Sequence, residues 1–167
     1  MDLQTVIHKA INPAMELLPP QMDSVKARVM LLAIGLQESR FKHRRQLGNG
    51  PARGFWQFER GTQQSRGGVW GVFLHEASSK HLRALCAARG VEFHPSAIYA
   101  ALEFDDVLAA GVARLLLWTD PKPLPDLCDP QAAWHLYARR TWRPGKPHPE
   151  TWPGFHAEAV QAVSVAA

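Results

Sequence analysis

The chain has little cysteine, no long apolar run and no secretory start. Only two cysteines, Cys86 and Cys128, occur in 167 residues. They have neither Cys-x-x-Cys nor zinc-type spacing, so two reduced thiols are expected, with a single bridge between them left open. No apolar stretch reaches bilayer-spanning length, which excludes a transmembrane helix. The opening Met-Asp-Leu-Gln-Thr-Val-Ile-His lacks the basic start and apolar centre of a secretory signal. The eight histidines are scattered, with no His-x₃-His or His-Glu-x₂-His arrangement. No metal and no cofactor are therefore expected.

What is present suits an ordinary globular protein. The hydrophobic fraction is 46%, with 20% charged residues, a balance that excludes a disordered tail. The length is that of one domain, and neither an internal repeat nor a second domain is visible over residues 1–167. Six tryptophans supply both core material and the flat faces that sugar-binding clefts use. A formal charge of +4 and a pI near 9.4 favour a polyanionic partner such as cell wall, nucleic acid or anionic membrane surface. The basic residues gather in Arg40–Arg45 and Arg139–Arg143, with Lys146 beyond. A solvated positive surface would carry the same runs.

Helical periodicity dominates. Leu3, Ile7, Ile11, Met15 and Leu18 mark a first amphipathic helix, stopped by Pro19-Pro20. Asp23 or Ser24 caps a second helix, with Val25, Val29, Leu32, Ala33 and Leu36 on its apolar positions, which runs into Glu38. Residues 40 to 51 read as a loop or short strand, and residues 62 to 72 as only weakly helical. Ala77 to Ala88 reads as a helix stopped at Gly90, and Pro95 to Ala101 as a short one. Asp105 caps an almost wholly apolar helix, the expected buried centre. After three spaced prolines, Pro130 opens a helix to Arg140, and a last one runs from about Thr151 or Phe155 to Val163. The expected fold is mainly α, a single domain with little or no β-structure. Its long irregular stretches read as cleft walls.

Glu38 stands where an apolar helix meets a loop. A carboxyl so placed loses water, and burial disfavours its charged form, leaving a proton to give near neutral pH. Taken alone, a glutamate that ends a helix and pairs with Arg40 or Lys42 is the simpler account. Its neighbours alter that. Glu38-Ser39-Arg40-Phe41 is followed by Gly50-Pro-Ala-Arg-Gly54-Phe55-Trp56-Gln57-Phe58, and then by Thr62. A later helix carries Trp134-His135-Leu136-Tyr137-Ala138 ahead of Arg143-Pro144-Gly145.

This arrangement resembles the lytic transglycosylases and goose-type lysozymes, glycoside hydrolases of the family 23 type, over about residues 23 to 145. Their hallmark is Glu-Ser-x-Phe at a helix end, then Gly-x-x-Gly-Leu-Met/Trp-Gln and an apolar residue, then Thr. A further helix carries Ala-Tyr-Asn, and here Ala138 stands where Asn is usual. The resemblance implies a lysozyme-like domain with a cleft that cleaves peptidoglycan. Glu38 would be the general acid and later the base. Ser39 would orient it or touch the muramoyl unit, and Gly54, Phe55, Trp56 and Gln57 would line the sugar site. Tyr137 would hydrogen-bond near the acid or the N-acetyl group. For Ser39 a bond to its own helix, and for Trp56 and Tyr137 core packing, are the bland alternatives.

Glycosidases ordinarily pair two carboxylates, yet residues 39 to 58 contain none and Glu59 is the nearest candidate. The expectation is therefore a single-acid transglycosylase that leaves 1,6-anhydro ends, with a hydrolytic lysozyme or a non-catalytic wall-binding protein as alternatives. A nucleic-acid partner is not expected, because no helix-turn-helix or RNA-binding motif accompanies the arginines. A monomer acting on glycan strands is expected. Without a signal, it would wait in the host cytoplasm or ride in a phage virion before reaching the wall.

Overall fold

A proline inside the first helix sets its form. The computed structural model describes residues 1–166. Helix α1 (Leu3–Val6) passes into a π-helical segment, Ile7–Ile11, and then into α2 (Asn12–Glu16). Pro13 has no N–H, and its ring would crowd the carbonyl four residues back. The wider turn, in which the Asn12 N–H reaches Ile7 O, makes room for that ring without ending the helix. The start is secured by Asp2, whose carboxylate accepts from Thr5 N.

Helix α3 (Val25–Ser39) begins at Ser24, whose hydroxyl accepts from Ala27 N. Residues Val29 to Leu36 are buried on every side, as in a helix at the centre of a fold. Val25, expected on the apolar face, is instead 50% exposed: at the first turn the helix has not yet entered the core. Next come α4 (Gly68–Leu74), α5 (Glu76–Arg89), α6 (Pro95–Ala101) and α7 (Asp106–Trp118). The Gly- and Gln-rich stretch that reads as weakly helical thus yields α4, because Val69 and Val72 are buried and Trp70 packs edge-on against Phe73. Asp105 caps α7 through Leu108 N, and α7 is buried from Leu108 to Leu115.

Helix α8 (Pro130–His135) does not run on as an α-helix to Arg140. It converts to a π-helical segment, Leu136–Thr141, where the Thr141 hydroxyl donates to Leu136 O at 2.7 Å. Helix α9 (Trp152–Ala166) closes the described chain. It lies along α3, while α7 packs on α5, on α4 and on the first π-helical segment. One continuous core joins residues from Val6 to Val163. Among the described residues, the β features are two isolated antiparallel bridges, Arg45 with Arg53 and Arg53 with Phe58. Cys86 is buried and Cys128 exposed, both as free thiols. No helix among the described residues is long and apolar enough to cross a membrane.

The end of α3 is built around one close approach. Arg40 and Phe41 both adopt left-handed backbone, with φ of 53° and 52°, at a cost of about 1–2 kcal/mol per residue. The turn drives the Phe41 ring, 1% exposed, back over Gly35. A Cβ at position 35 would lie 2.1 Å from Phe41 Cζ. Gly35→Ala should therefore destabilise the fold by about 2 kcal/mol, as overpacking does. A denaturant midpoint equal to that of the parent chain would contradict this seat.

Candidate active site

Ser39 turns the end of α3 into an anchor. Its hydroxyl donates to Phe55 O at 2.7 Å and sits 3.3 Å from Gly35 O. It also accepts from Phe41 N at 3.1 Å. The side chain is 6% exposed, so it ties the loop of residues 53–58 to the helix and does not face the cleft. Phe55 and Trp56 are buried in the same knot. Phe41 meets both rings edge-on, at 5.5 and 5.7 Å, and Trp56 Nε1 donates to Leu31 O at 2.8 Å. Sequence reasoning groups Ser39, Phe55 and Trp56 with the sugar site; their contacts are those of packing and anchoring.

The loop itself is a tight bridge. Arg53 and Phe58 exchange backbone hydrogen bonds at 2.9 Å. Gly54 has φ of 73°, and a Cβ there would meet Leu102 O at 2.7 Å, so the position needs glycine twice over. Gln57, with φ of 50°, bonds back to Gly54 O through its side-chain amide at 2.8 Å. Unlike the buried Phe55 and Trp56, Gln57 reaches the cleft. Thr62 is exposed and holds a small turn by accepting from Ser65 N.

The cleft has a volume of about 990 Å³ and contains Glu38. Gln57, Phe58 and Glu59 line one wall; Thr141, Trp142, Arg143 and Lys146 line another. Of these, Thr141, Trp142, Arg143 and Lys146 escape sequence reasoning as cleft residues; for the first two, a continuous α-helix to Arg140 conceals the π-helical turn that presents them. Trp142 spans the two walls, donating from Nε1 to Trp56 O at 2.9 Å and packing on Phe58 at 5.5 Å.

Tyr137 reaches Glu38 from α8's continuation. Its hydroxyl donates to Glu38 Oε1 at 2.6 Å. The ring is 2% exposed and stacks on Trp152 of α9, with centroids 5.1 Å apart and planes 1° from parallel. Burial among these rings raises the Glu38 carboxyl from 4.5 to about 7, against the opposing hydrogen bond from Tyr137. Burial and the neighbouring Glu38 also push the Tyr137 hydroxyl well above its ordinary value, so it stays a donor. Ala138, which replaces the usual amide of the sequence pattern, is half-buried against the core. His135 is exposed and lies outside the cleft lining. No cluster of three or more His, Cys, Asp or Glu suited to a metal occurs among the described residues.

A carboxyl of this kind can hold a proton at neutral pH, deliver it into the cleft and be stabilised as an anion by the tyrosine. Comparison with protein-family models, curated proteins and solved structures finds no match to this chain. What the site does must therefore be argued from its own geometry.

The displaced titration of Glu38 has a thermodynamic consequence. Between pH 4.5 and about 7 the folded chain holds a proton that the unfolded chain has released, so this group's stabilisation falls as pH rises through that window. Glu38→Gln should remove that decline and leave the fold more stable above pH 7, by up to about 3 kcal/mol. Parallel melting curves across pH 4 to 8 for the two chains, taken at about unit intervals, would refute it. Tyr137→Phe removes the bond that favours the carboxylate, so the Glu38 midpoint should move above about 7. Carboxyl-carbon NMR titration measures this, and a lowered midpoint would contradict the assignment of the bond.

Proposed function

We propose that this chain is a peptidoglycan-cleaving enzyme of the lytic transglycosylase type, with Glu38 as its acid. The observation that carries the reading is a carboxyl held near neutrality at about 7, inside a cleft of about 990 Å³, with a tyrosine hydroxyl 2.6 Å away. Such a group meets the first demand of glycosidic cleavage, a proton for the leaving oxygen.

In the proposed reaction, protonated Glu38 gives its proton to the oxygen between the muramoyl and glucosaminyl units, and the bond to the anomeric carbon breaks. The substrate's own N-acetyl group stabilises the positive carbon that results. The Glu38 carboxylate, held by Tyr137, then takes the proton of the muramoyl 6-hydroxyl as that oxygen closes on the anomeric carbon. The proton given in the first step is recovered in the second, and a 1,6-anhydro end is left. Tyr137 serves both halves, because its bond strengthens as negative charge appears on Glu38.

A second reading has its own observation. Glu59 is exposed and lines the same cleft, and a carboxylate there is a base for an attacking water. That reaction would be hydrolysis, giving a reducing end. The resemblance to wall-cleaving enzymes also supports a phage setting, at host entry or at lysis.

Activity should depend on the protonated form of Glu38, so it should persist at acidic pH and fall as pH rises through about 7. Glu38→Gln should lower clearing of purified wall by about a thousandfold or more, the range in which general acids act. Mass spectrometry of the released muropeptides separates the two reactions. Anhydro ends support transglycosylation, and reducing ends alone would assign hydrolysis. Wall clearing by Glu38→Gln at the rate of the parent chain would overturn the site.

A further inference from the structure

Most arginines near the cleft are already held by carboxylates. In the first basic run, Arg44 makes a two-pronged contact with Asp106 at 2.9 and 2.7 Å. Arg45 and Arg53 share Glu103, at 3.0 and 3.2 Å. In the second run, Arg140 meets Asp120 at 2.9 Å. These cations hold the fold's own loops to α7 and its neighbours. Arg143 and Lys146 differ: both line the cleft that contains Glu38, both are exposed, and neither has a carboxylate at ion-pair distance among the described residues.

The backbone around Arg143 is fixed. Its φ is 48°, a left-handed conformation that costs a non-glycine residue free energy and collects at functional sites. The N–H groups of Trp142 and Arg143 both point at Tyr137 O, at 3.0 and 3.3 Å. Trp142 is pinned in turn to Trp56 O. The guanidinium therefore leaves the chain one residue after an anchored ring, just past the π-helical turn that delivers Tyr137 to Glu38. Lys146 lies three residues further along the same loop. The carboxyl groups that line the cleft are Glu38, its charge reduced near neutrality because burial raises it to about 7, and Glu59. The wall near residue 143 is left with net positive charge.

Resting on the proposed activity, we infer that Arg143 and Lys146 form a carboxylate-binding subsite for the acidic peptide carried by the muramoyl unit. A muramoyl sugar bears its peptide through a lactyl ether beside the bond to be cut, so its carboxylates arrive at a fixed distance from the reacting carbon. A guanidinium on a fixed backbone matches a carboxylate with two parallel hydrogen bonds. A neutral glycan offers nothing to this wall. The subsite would make the chain select peptide-substituted strands and make its binding salt-sensitive.

The test uses peptidoglycan freed of teichoic acid in three forms: intact, with its carboxyl groups amidated by a neutral amine, and stripped of peptides by an amidase. Arg143→Gly, which relieves the left-handed backbone while removing the charge, is combined with Lys146→Ala. Co-sedimentation of the inert Glu38→Gln chain, with and without that pair, reads binding independently of turnover. For intact wall we expect the pair to weaken binding roughly tenfold, as two exposed ion pairs allow, and to flatten its salt dependence. Amidation should weaken the Glu38→Gln chain that keeps Arg143 and Lys146 to the same degree, and leave the chain carrying both further substitutions unchanged. Stripped strands keep only the lactyl carboxylate. Retained dependence on the pair there would place the contact on that group and overturn the peptide assignment, whereas loss of the dependence supports it. Equal binding of both chains to intact wall would overturn the subsite while leaving the proposed activity untouched. Pair-dependent binding with no wall clearing by the parent chain would sink the activity and keep the subsite.

Discussion

The seat of Phe41 on Gly35 is the contact on which the site depends. It requires a glycine inside a helix that is otherwise apolar and well packed, and two successive residues in left-handed backbone. Each requirement alone is unfavourable. Together they fold the chain back over its own helix, bring Phe55 and Trp56 against Phe41, and place the Ser39 hydroxyl between two backbone segments. Glu38, one residue earlier, is thereby left at the boundary between packed rings and open cleft. A looser turn would hydrate it, and a hydrated carboxyl would titrate in its ordinary range.

Two opposing influences then set the acid. Removal from water favours the neutral form and the Tyr137 hydroxyl favours the anion, with removal from water the larger. For the proposed reaction this balance suits a group that begins protonated and passes through an ionised state, since the same bond that slightly weakens its hold on the proton steadies it once the proton has gone. The tyrosine is itself held by its parallel stack on Trp152. The orientation of the hydroxyl consequently rests on a helix remote in sequence from the acid.

Much of the fold is legible along the chain, and the failures have physical causes. Helix starts at Ser24 and Asp105 follow from side chains that satisfy free N–H groups, and the start at Pro130 from a ring that presets the helical backbone and lacks the N–H left over there, local effects visible in a few residues. The two π-helical segments are invisible to a periodicity argument. One is forced by Pro13 and the other presents Thr141 and Trp142 to the cleft, and each departs from the α-period for only one turn. Residues 68–74 lack the polar and apolar alternation of a surface helix and are helical because tertiary burial of Val69 and Val72 holds them. At the site, the motif resemblance points to Glu38, Gln57 and Tyr137; the fold brings the first two into one cleft and sets Tyr137 on Glu38. The same spacing groups Ser39, Phe55 and Trp56 with them, because a residue that builds the turn and one that meets a ligand obey similar sequence constraints. Which arginines are free depends on partners such as Asp106 and Glu103, some sixty residues away along the chain, and no local pattern reports that.

The pairing of Tyr137 with Glu38 spans 99 positions, and the ring that steadies it lies later still, at Trp152. Closing so long a loop comes late in the ordering of a chain, after local helices have formed. During synthesis the acid emerges early, but its dry surroundings and its donor arrive only when α8 and α9 have docked. A partly made or partly unfolded chain has a hydrated glutamate at position 38 and no cleft wall opposite it. The raised proton affinity of Glu38 is thus a property of the assembled fold, resting on helices far from it along the chain.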